Sequence, residues 1–266
     1  MSKKILVLDI DGTLTNSKKE ITKPTKEAID RIRKKGHIIV IASGRPTAGI
    51  VKVANELEMD KYGGYVLSFN GARITNWKTK EVIYQNSLDK DIIDGLYDYA
   101  KDNDLGLVTY EDHNVVTSTR HDEYMELEAK ICNIPIKDVE NFSKYVTFDA
   151  NKCLLTASVD IAPTHEEKIA SIFPKATVCR SEPFFIEVMP HGVDKAASLD
   201  KLVNKLGMKR SDTICCGDGF NDISMIKYAG IGVAMENAQE EVKNNADFIT
   251  KSNDEDGIVH VINKYL

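Results

Sequence analysis

The chain is poor in the features that most directly announce a function. No apolar run approaches the ~20 residues that a membrane-spanning helix needs, so no membrane span is expected. There is no C-x-x-C pair among the five cysteines, Cys132, Cys153, Cys179, Cys215 and Cys216. An odd, scattered set argues for reduced thiols in a cytoplasmic protein, serving as core filler. The six histidines form no H-x-H or H-E-x-x-H, which disfavours a zinc site. Basic excess is also missing: the formal charge is −6, which argues against a protein that neutralises nucleic-acid backbones. The few residues before Asp9 are too short and too soon acidic for a secretory signal. Neither an internal repeat nor a low-complexity tract is found.

What is present is a rhythm. Ile5-Leu6-Val7-Leu8 is an apolar run that ends in Asp9-Ile10-Asp11-Gly12-Thr13. A helix is expected from Pro24 to Lys35, stopped by Gly36. His37–Ala42 then reads as a strand buried on both faces, ending in Ser43-Gly44-Arg45. Ile50, Val53, Ala54 and Leu57 mark a second helix, and Tyr65–Phe69 a third strand ending in Asn70-Gly71. Strand alternating with helix implies a parallel sheet with right-handed crossovers. The alternation returns near the end of the chain. A helix marked by Leu199, Leu202 and Val203 is followed by Thr213-Ile214-Cys215-Cys216 and Gly217-Asp218-Gly219-Phe220-Asn221-Asp222. After Ile231–Met235, a helix around Ala238–Ala246 and a last helix to Leu266 are expected. The acidic runs Glu240-Glu241 and Asp254-Glu255-Asp256 read as charges favourable to helix N-termini.

Between these halves the pattern changes to paired strands with intervening helices. Residues 83–188 read as an inserted α+β domain, with 1–82 and 189–266 forming one discontinuous α/β core. Within the insert, 133–150 resists assignment.

Three strands of the core thus end in polar, glycine-rich turns. In open α/β sheets ligands bind outside the carboxyl ends of the strands, so these turns should share one rim. Asp9 and Asp11, two apart, should project together just where the strand stops. Asp9, Asp218 and Asp222 offer hard oxygens suited to Mg²⁺. The Ser43 hydroxyl and the amides near Gly12 and Gly44 can donate to phosphate oxygens, and Lys195 adds a point charge. One leading aspartate could attack phosphorus while the other moves a proton. Asn70 suits a left-handed turn as well as a site role, and Arg45 a place near the site. For Arg120, His121, Arg180 and Glu182 in the insert, turn and surface roles outweigh substrate contact.

Asp9-Ile10-Asp11-Gly12-Thr13, Ser43-Gly44-Arg45, Lys195 and Gly217-Asp218-Gly219-Phe220-Asn221-Asp222 occur in the order of the four motifs of the haloacid dehalogenase superfamily. With Phe69-Asn70-Gly71-Ala72, the insert, and Glu187–Lys195, the chain resembles the Cof-type phosphatases that carry a C2B cap. The resemblance implies a Rossmann-like core and a Mg²⁺-dependent phosphatase of small phosphorylated metabolites, sugar phosphates favoured. It implies Asp9 as nucleophile and Asp11 as general acid/base. Asp9, the Asp11 carbonyl and Asp218 would hold the metal, with Asp222 in support. Ser43, Gly44, Lys195 and Asn221 would hold phosphate. The insert would act as a lid that reads the leaving group. Ala196 stands where the family usually has glycine after the motif lysine, a mild change on a helix. No nucleic acid and no obligate protein partner is implied. The rival readings are a sugar-phosphate phosphomutase or phosphotransferase, an aspartate-phosphorylated receiver, and a catalytically silent metabolite-binding regulator.

Overall fold

The computed structural model describes residues 3–266; Met1 and Ser2, part of the polar start considered above, lie outside the described residues. The chain divides into two compact units. The first takes in the chain up to Gly44, Ile50–Tyr84 and Asp194–Leu266; the second takes in Arg45–Gly49 and Gln85–Val193.

The first unit opens with β1 (Ile5–Leu8), α1 (Lys23–Lys34), β2 (Ile38–Ala42), α2 (Thr47–Glu56), α3 (Met59–Tyr62), β3 (Tyr65–Ser68), β4 (Arg73–Asn76) and β5 (Val82–Gln85). Thr22 caps α1 by accepting from the Thr25 amide, and Pro24 sits in its first turn. The apolar pattern of the second helix breaks at Glu58, whose φ of +49° ends α2 and starts the short α3.

The second unit holds α4 (Lys90–Asp102), β6 (Gly106–Glu111), β7 (Asn114–Thr117), α5 (Glu123–Cys132), β8 (Ile136–Asp138), α6 (Phe142–Tyr145), β9 (Cys153–Thr156), α7 (Ala162–Ile172), β10 (Ala176–Glu182) and β11 (Phe185–Pro190). Its strands run in the order β10-β11-β9-β6-β7-β8. The pairs are antiparallel except β7 with β8, so the stretch that resisted assignment supplies a parallel edge strand and one helical turn. Leu107, Leu155, Ile186 and Val188 alternate onto the face covered by helix residues such as Ile93, Leu96 and Ile169.

The chain returns to the first unit with α8 (Lys195–Lys205), β12 (Thr213–Gly217), α9 (Ile223–Tyr228), β13 (Ile231–Ala234), α10 (Glu240–Lys243), β14 (Phe248–Ile249) and α11 (Gly257–Tyr265). Its eight strands run β14-β13-β12-β1-β2-β3-β4-β5, and β14 through β3 are parallel. β4 joins antiparallel to β3. β1 lies at the centre, and its side chains alternate between two cores. Leu6 and Leu8 pack with Ile29, Ile32 and Val261 on one face, Ile5 and Val7 with Leu199, Leu202 and Met225 on the other. This is an α/β sandwich with helices on both faces of a mostly parallel sheet. No helix among the described residues is long and apolar enough to cross a membrane.

Two expectations need correction. The helix around 238–246 is only the single turn of α10. The Asn245 side-chain amide donates to the Glu241 carbonyl, at 2.6 Å, the acceptor that a continuing helix would use. The acidic run at 254–256 is also not a set of helix-end charges alone. Asp254 accepts from the Ser17 amide and hydroxyl, and Asp256 from Thr22, so the run ties the last helix to the loop after β1.

Leu8 is fully buried in the central strand. Leu8→Ala is expected to cost ~2–5 kcal/mol, read as a lower urea midpoint; a change well under 1 kcal/mol would show that the sheet face is loosely packed.

Candidate active site

The site is assembled where the central parallel strands stop. β1 ends at Leu8, one residue before Asp9, and the Asp9 amide still bonds the Cys216 carbonyl of β12 at 3.1 Å. From there the chain turns tightly: the Leu14 and Thr15 amides return to the carbonyls of Asp9 and Ile10. The strand itself ends at Leu8, and the two aspartates that follow have different surroundings. The Asp9 side chain is buried, while that of Asp11 is 38 % exposed and pairs with Lys19 Nζ at 2.8 Å.

Asp9 meets other partners. Lys195, the first residue of α8, is wholly buried, and its Nζ donates to Asp9 Oδ1 at 2.7 Å and to Asp222 Oδ1 at 2.6 Å. Asp194, capping α8 through the Ala197 amide, places Lys195 in the first turn. The other Asp222 oxygen accepts from the amides of Asp218 and Gly219, at 3.0 and 2.9 Å. Asp222 thus braces the loop that presents Asp218. One carboxylate oxygen each from Asp9, Asp218 and Asp222 lies within 4.8 Å of the others. Asp11, expected to join the metal residues through its backbone carbonyl, contributes no side-chain oxygen to this trio.

Gly12 is required here. Its φ is +80°, and a Cβ would stand 2.2 Å from Asp218 Oδ2. Thr13, to which sequence reasoning assigned no role, donates to the other Asp218 oxygen at 2.7 Å. Asn237 holds the Gly12 carbonyl at 2.8 Å, and no sequence pattern marks it. On the neighbouring strand end, Ser43 is buried, its backbone bonded to Leu67 and Asn70. Asn70 has a φ of +54°, and its Oδ1 accepts from Asn221 Nδ2 at 3.0 Å. It also lies close over Gly44, where a Cβ would stand 3.1 Å from that oxygen. Asn70 thus serves both the turn and the rim. Arg45 falls in the 45–49 stretch that groups with the second unit, and its guanidinium donates to the Gly49 carbonyl.

The second unit's candidates are engaged in their own ion pairs: Arg120 with Asp104, His121 with Asp138, Arg180 with Glu166. Its buried polar pair is one that pattern reading passed over, Lys152 with Glu187 at 2.8 Å. The glutamate interrupting the apolar run from Phe184 to Met189 was the available signal.

Burial, then repulsion from Asp222, pushes Asp9 well above the usual carboxylate range, and Lys195 opposes the rise. For Lys195 burial works against the charged form, but Asp222 and Asp9 outweigh it, so the ammonium is held charged. Burial raises Asp218 to about 6, with the Thr13 hydrogen bond pulling the other way and Asp222 adding to the rise. With all three carboxylates ionised, the one ammonium would leave two negative charges uncompensated, so without a further cation Asp9 and Asp218 hold protons more tightly. Hard oxygens converging with that charge fit a hard divalent cation.

Fold and rim together define a class, an α/β protein with a carboxylate cluster at the carboxyl edge of a parallel sheet. The sequence pattern of the haloacid dehalogenase-like hydrolases matches residues 6–262. A haloacid dehalogenase-like hydrolase from Bacteroides thetaiotaomicron superposes with a TM-score of 0.95 at 45% identity, covering 100% of both chains. The subclass IIB sugar phosphatase BT4131 gives 0.84 at 28% identity, covering 99% of each. The 5-amino-6-(5-phospho-D-ribitylamino)uracil phosphatase YcsE of Bacillus subtilis is 30% identical over 99% of this chain and 96% of its own. The chain belongs to the haloacid dehalogenase-like hydrolase family and is an enzyme of its phosphoric monoester hydrolase class.

Lys195→Met should destabilise the metal-free protein by ~3–5 kcal/mol at pH 8, because two buried carboxylates lose their cation. Asp9 already binds its proton more tightly folded than unfolded, so rising pH works against the fold, more so without Lys195. The deficit should therefore shrink towards pH 5. A deficit that grows on acidification would contradict the arrangement.

Proposed function

We propose that the protein is a Mg²⁺-dependent phosphatase of small phosphorylated metabolites, sugar phosphates favoured, working through an aspartyl-phosphate on Asp9. The observation that carries this reading is the different treatment of the two leading aspartates. Asp9 is buried, oriented by Lys195 and clustered with Asp218 and Asp222; Asp11 is partly exposed and paired with the surface Lys19. The first is built to stay fixed while charge passes over it, the second to change its proton.

Asp9, Asp218 and the Asp11 carbonyl would hold Mg²⁺, with Asp222 supporting the loop rather than giving up the oxygens it already uses. When bound, the ion neutralises negative charge that would otherwise repel a phosphate. The chain's own part has two steps. An Asp9 oxygen forms a bond to phosphorus as the ester P–O bond breaks, and the leaving oxygen takes a proton from Asp11. Asp11 then takes a proton from water, the water oxygen bonds to phosphorus, and the bond to Asp9 breaks. An exposed pair such as Asp11–Lys19 is worth about 0–1 kcal/mol. Ser43, the amides of Gly12 and Gly44, Asn221 and Lys195 are assigned to the phosphate oxygens, and Arg45 to substrate contact. Recognition of the leaving group is assigned to the 83–188 insert. The enzyme is proposed to act in the cytoplasm, without nucleic acid, membrane or an obligate protein partner.

Asp9→Asn should abolish release of phosphate from p-nitrophenyl phosphate while leaving the circular dichroism spectrum unchanged; near-normal turnover in a folded variant would show another nucleophile. Asp218→Ala should raise the Mg²⁺ concentration needed for half-maximal rate at least tenfold, and an unchanged requirement would remove Asp218 from the metal set. With a sugar phosphate as substrate, free phosphate should accumulate. Isomerised sugar phosphate without it would favour a mutase.

A further inference from the structure

The first unit carries a second cleft, at the opposite end of its sheet from the carboxylate rim. It opens between the C-terminal turn of α1, the end of α3 and the first residues of β2 and β3, and encloses about 590 Å³. That volume is within the range of small-molecule sites. β2 alone separates the cleft from Ser43, by roughly 15 Å at 3.3 Å per residue.

Its wall is cationic and underpaired. Lys3, Arg33 and Lys34 line it against one acidic residue, Asp30. The Arg33 side chain is only 8 % exposed. One guanidinium nitrogen, Nη1, reaches the Leu57 carbonyl and, at 3.4 Å, Asp30. Its Nε and Nη2 are buried with no hydrogen-bond partner. An unmet charged donor in a low-dielectric place is costly, and arginine does not escape by giving up its proton. The positive field is felt nearby: burial, then the charges of Lys35 and Lys4, pulls His37 on the cleft wall below its ordinary pKa.

Aromatic surface lies beside the guanidinium. The Tyr62 ring is centred 5.6 Å from the Arg33 guanidinium carbon, and Tyr65 lines the same cleft. Tyr62 is 48 % exposed, and Lys61 Nζ also lies 4.6 Å from its ring centre. Gly64 keeps part of the wall bare: its φ is +134°, and a Cβ would stand 2.7 Å from the Ile39 carbonyl oxygen.

We infer that this cleft is a second anion site, separate from the catalytic rim, that binds a small organic phosphate carrying an aromatic ring, of the mononucleotide class. The phosphate takes the Nε and Nη2 donors of Arg33 as a two-pronged acceptor, with Lys3 and Lys34 adding charge. The ring lies against Tyr62 and Tyr65.

The test is calorimetric titration of the whole protein in EDTA with adenosine monophosphate, and separately with adenosine. Adenosine monophosphate should bind, and adenosine at least tenfold more weakly. Arg33→Met should abolish the binding. Because Arg33 also anchors the Leu57 carbonyl, the exposed Lys34→Glu serves as the variant sure to fold. It should weaken binding about tenfold, a loss of ~1.4 kcal/mol, while hydrolysis of p-nitrophenyl phosphate stays within twofold of the parent. No binding of adenosine monophosphate, equal binding of adenosine, or an affinity untouched by Lys34→Glu would overturn the assignment.

Discussion

The buried ammonium of Lys195 is the interaction on which the rest of the site depends. It draws Asp9 and Asp222 to within 2.7 Å of one atom, although the three residues come from the turn after β1, the first turn of α8 and the loop after β12. Burying two carboxylates together without a cation would drive one of them neutral. With Lys195 in place, Asp9 can be oriented and Asp222 can brace the loop that carries Asp218. The lysine is held in turn by ordinary means: α8 is capped by Asp194 and packs Leu199, Leu202 and Val203 under the sheet.

The parallel sheet makes this convergence possible. β1 and β12 run side by side in register from Ile5 with Thr213 to Leu8 with Cys216, so their ends fall level and their turns meet. The turns themselves are tuned at short range. Gly12 leaves room for Asp218, Thr13 bonds it, and Asn237 fixes the backbone between them. A second bridge, Asn70 to Asn221, joins the loop after β3 to the same loop after β12. The other end of the sheet is built differently. There the chain gathers lysines, a partly unsatisfied Arg33 and two tyrosines around open space, and none of these groups takes part in the catalytic rim.

Much of this was legible from the linear chain. Apolar runs that end in polar, glycine-rich turns located β1, β2 and β12, because a strand buried on both faces leaves no polar positions inside it. Asp9, Ser43 and Asp218 after those strands, with Lys195 opening α8, located the rim and pointed by their order to the family. Pattern also marked the insert, through its paired strands and the hairpin at Asp112-His113.

What the sequence determined by itself is the set of elements, the acidic inventory and the end of the sheet where chemistry gathers, since these follow from local periodicity and turn chemistry. What only the tertiary structure decided is how equal residues were made unequal. Asp9 and Asp11 are both aspartates two apart; the strand stops at Leu8, and one is buried against Lys195 while the other faces Lys19. Likewise Asn245 shortens a helix by taking a carbonyl, and Arg33 differs from its neighbours Arg31 and Lys34 only in being turned inward. Burial and the identity of the partner set charge and proton affinity, and both depend on residues far away in the chain.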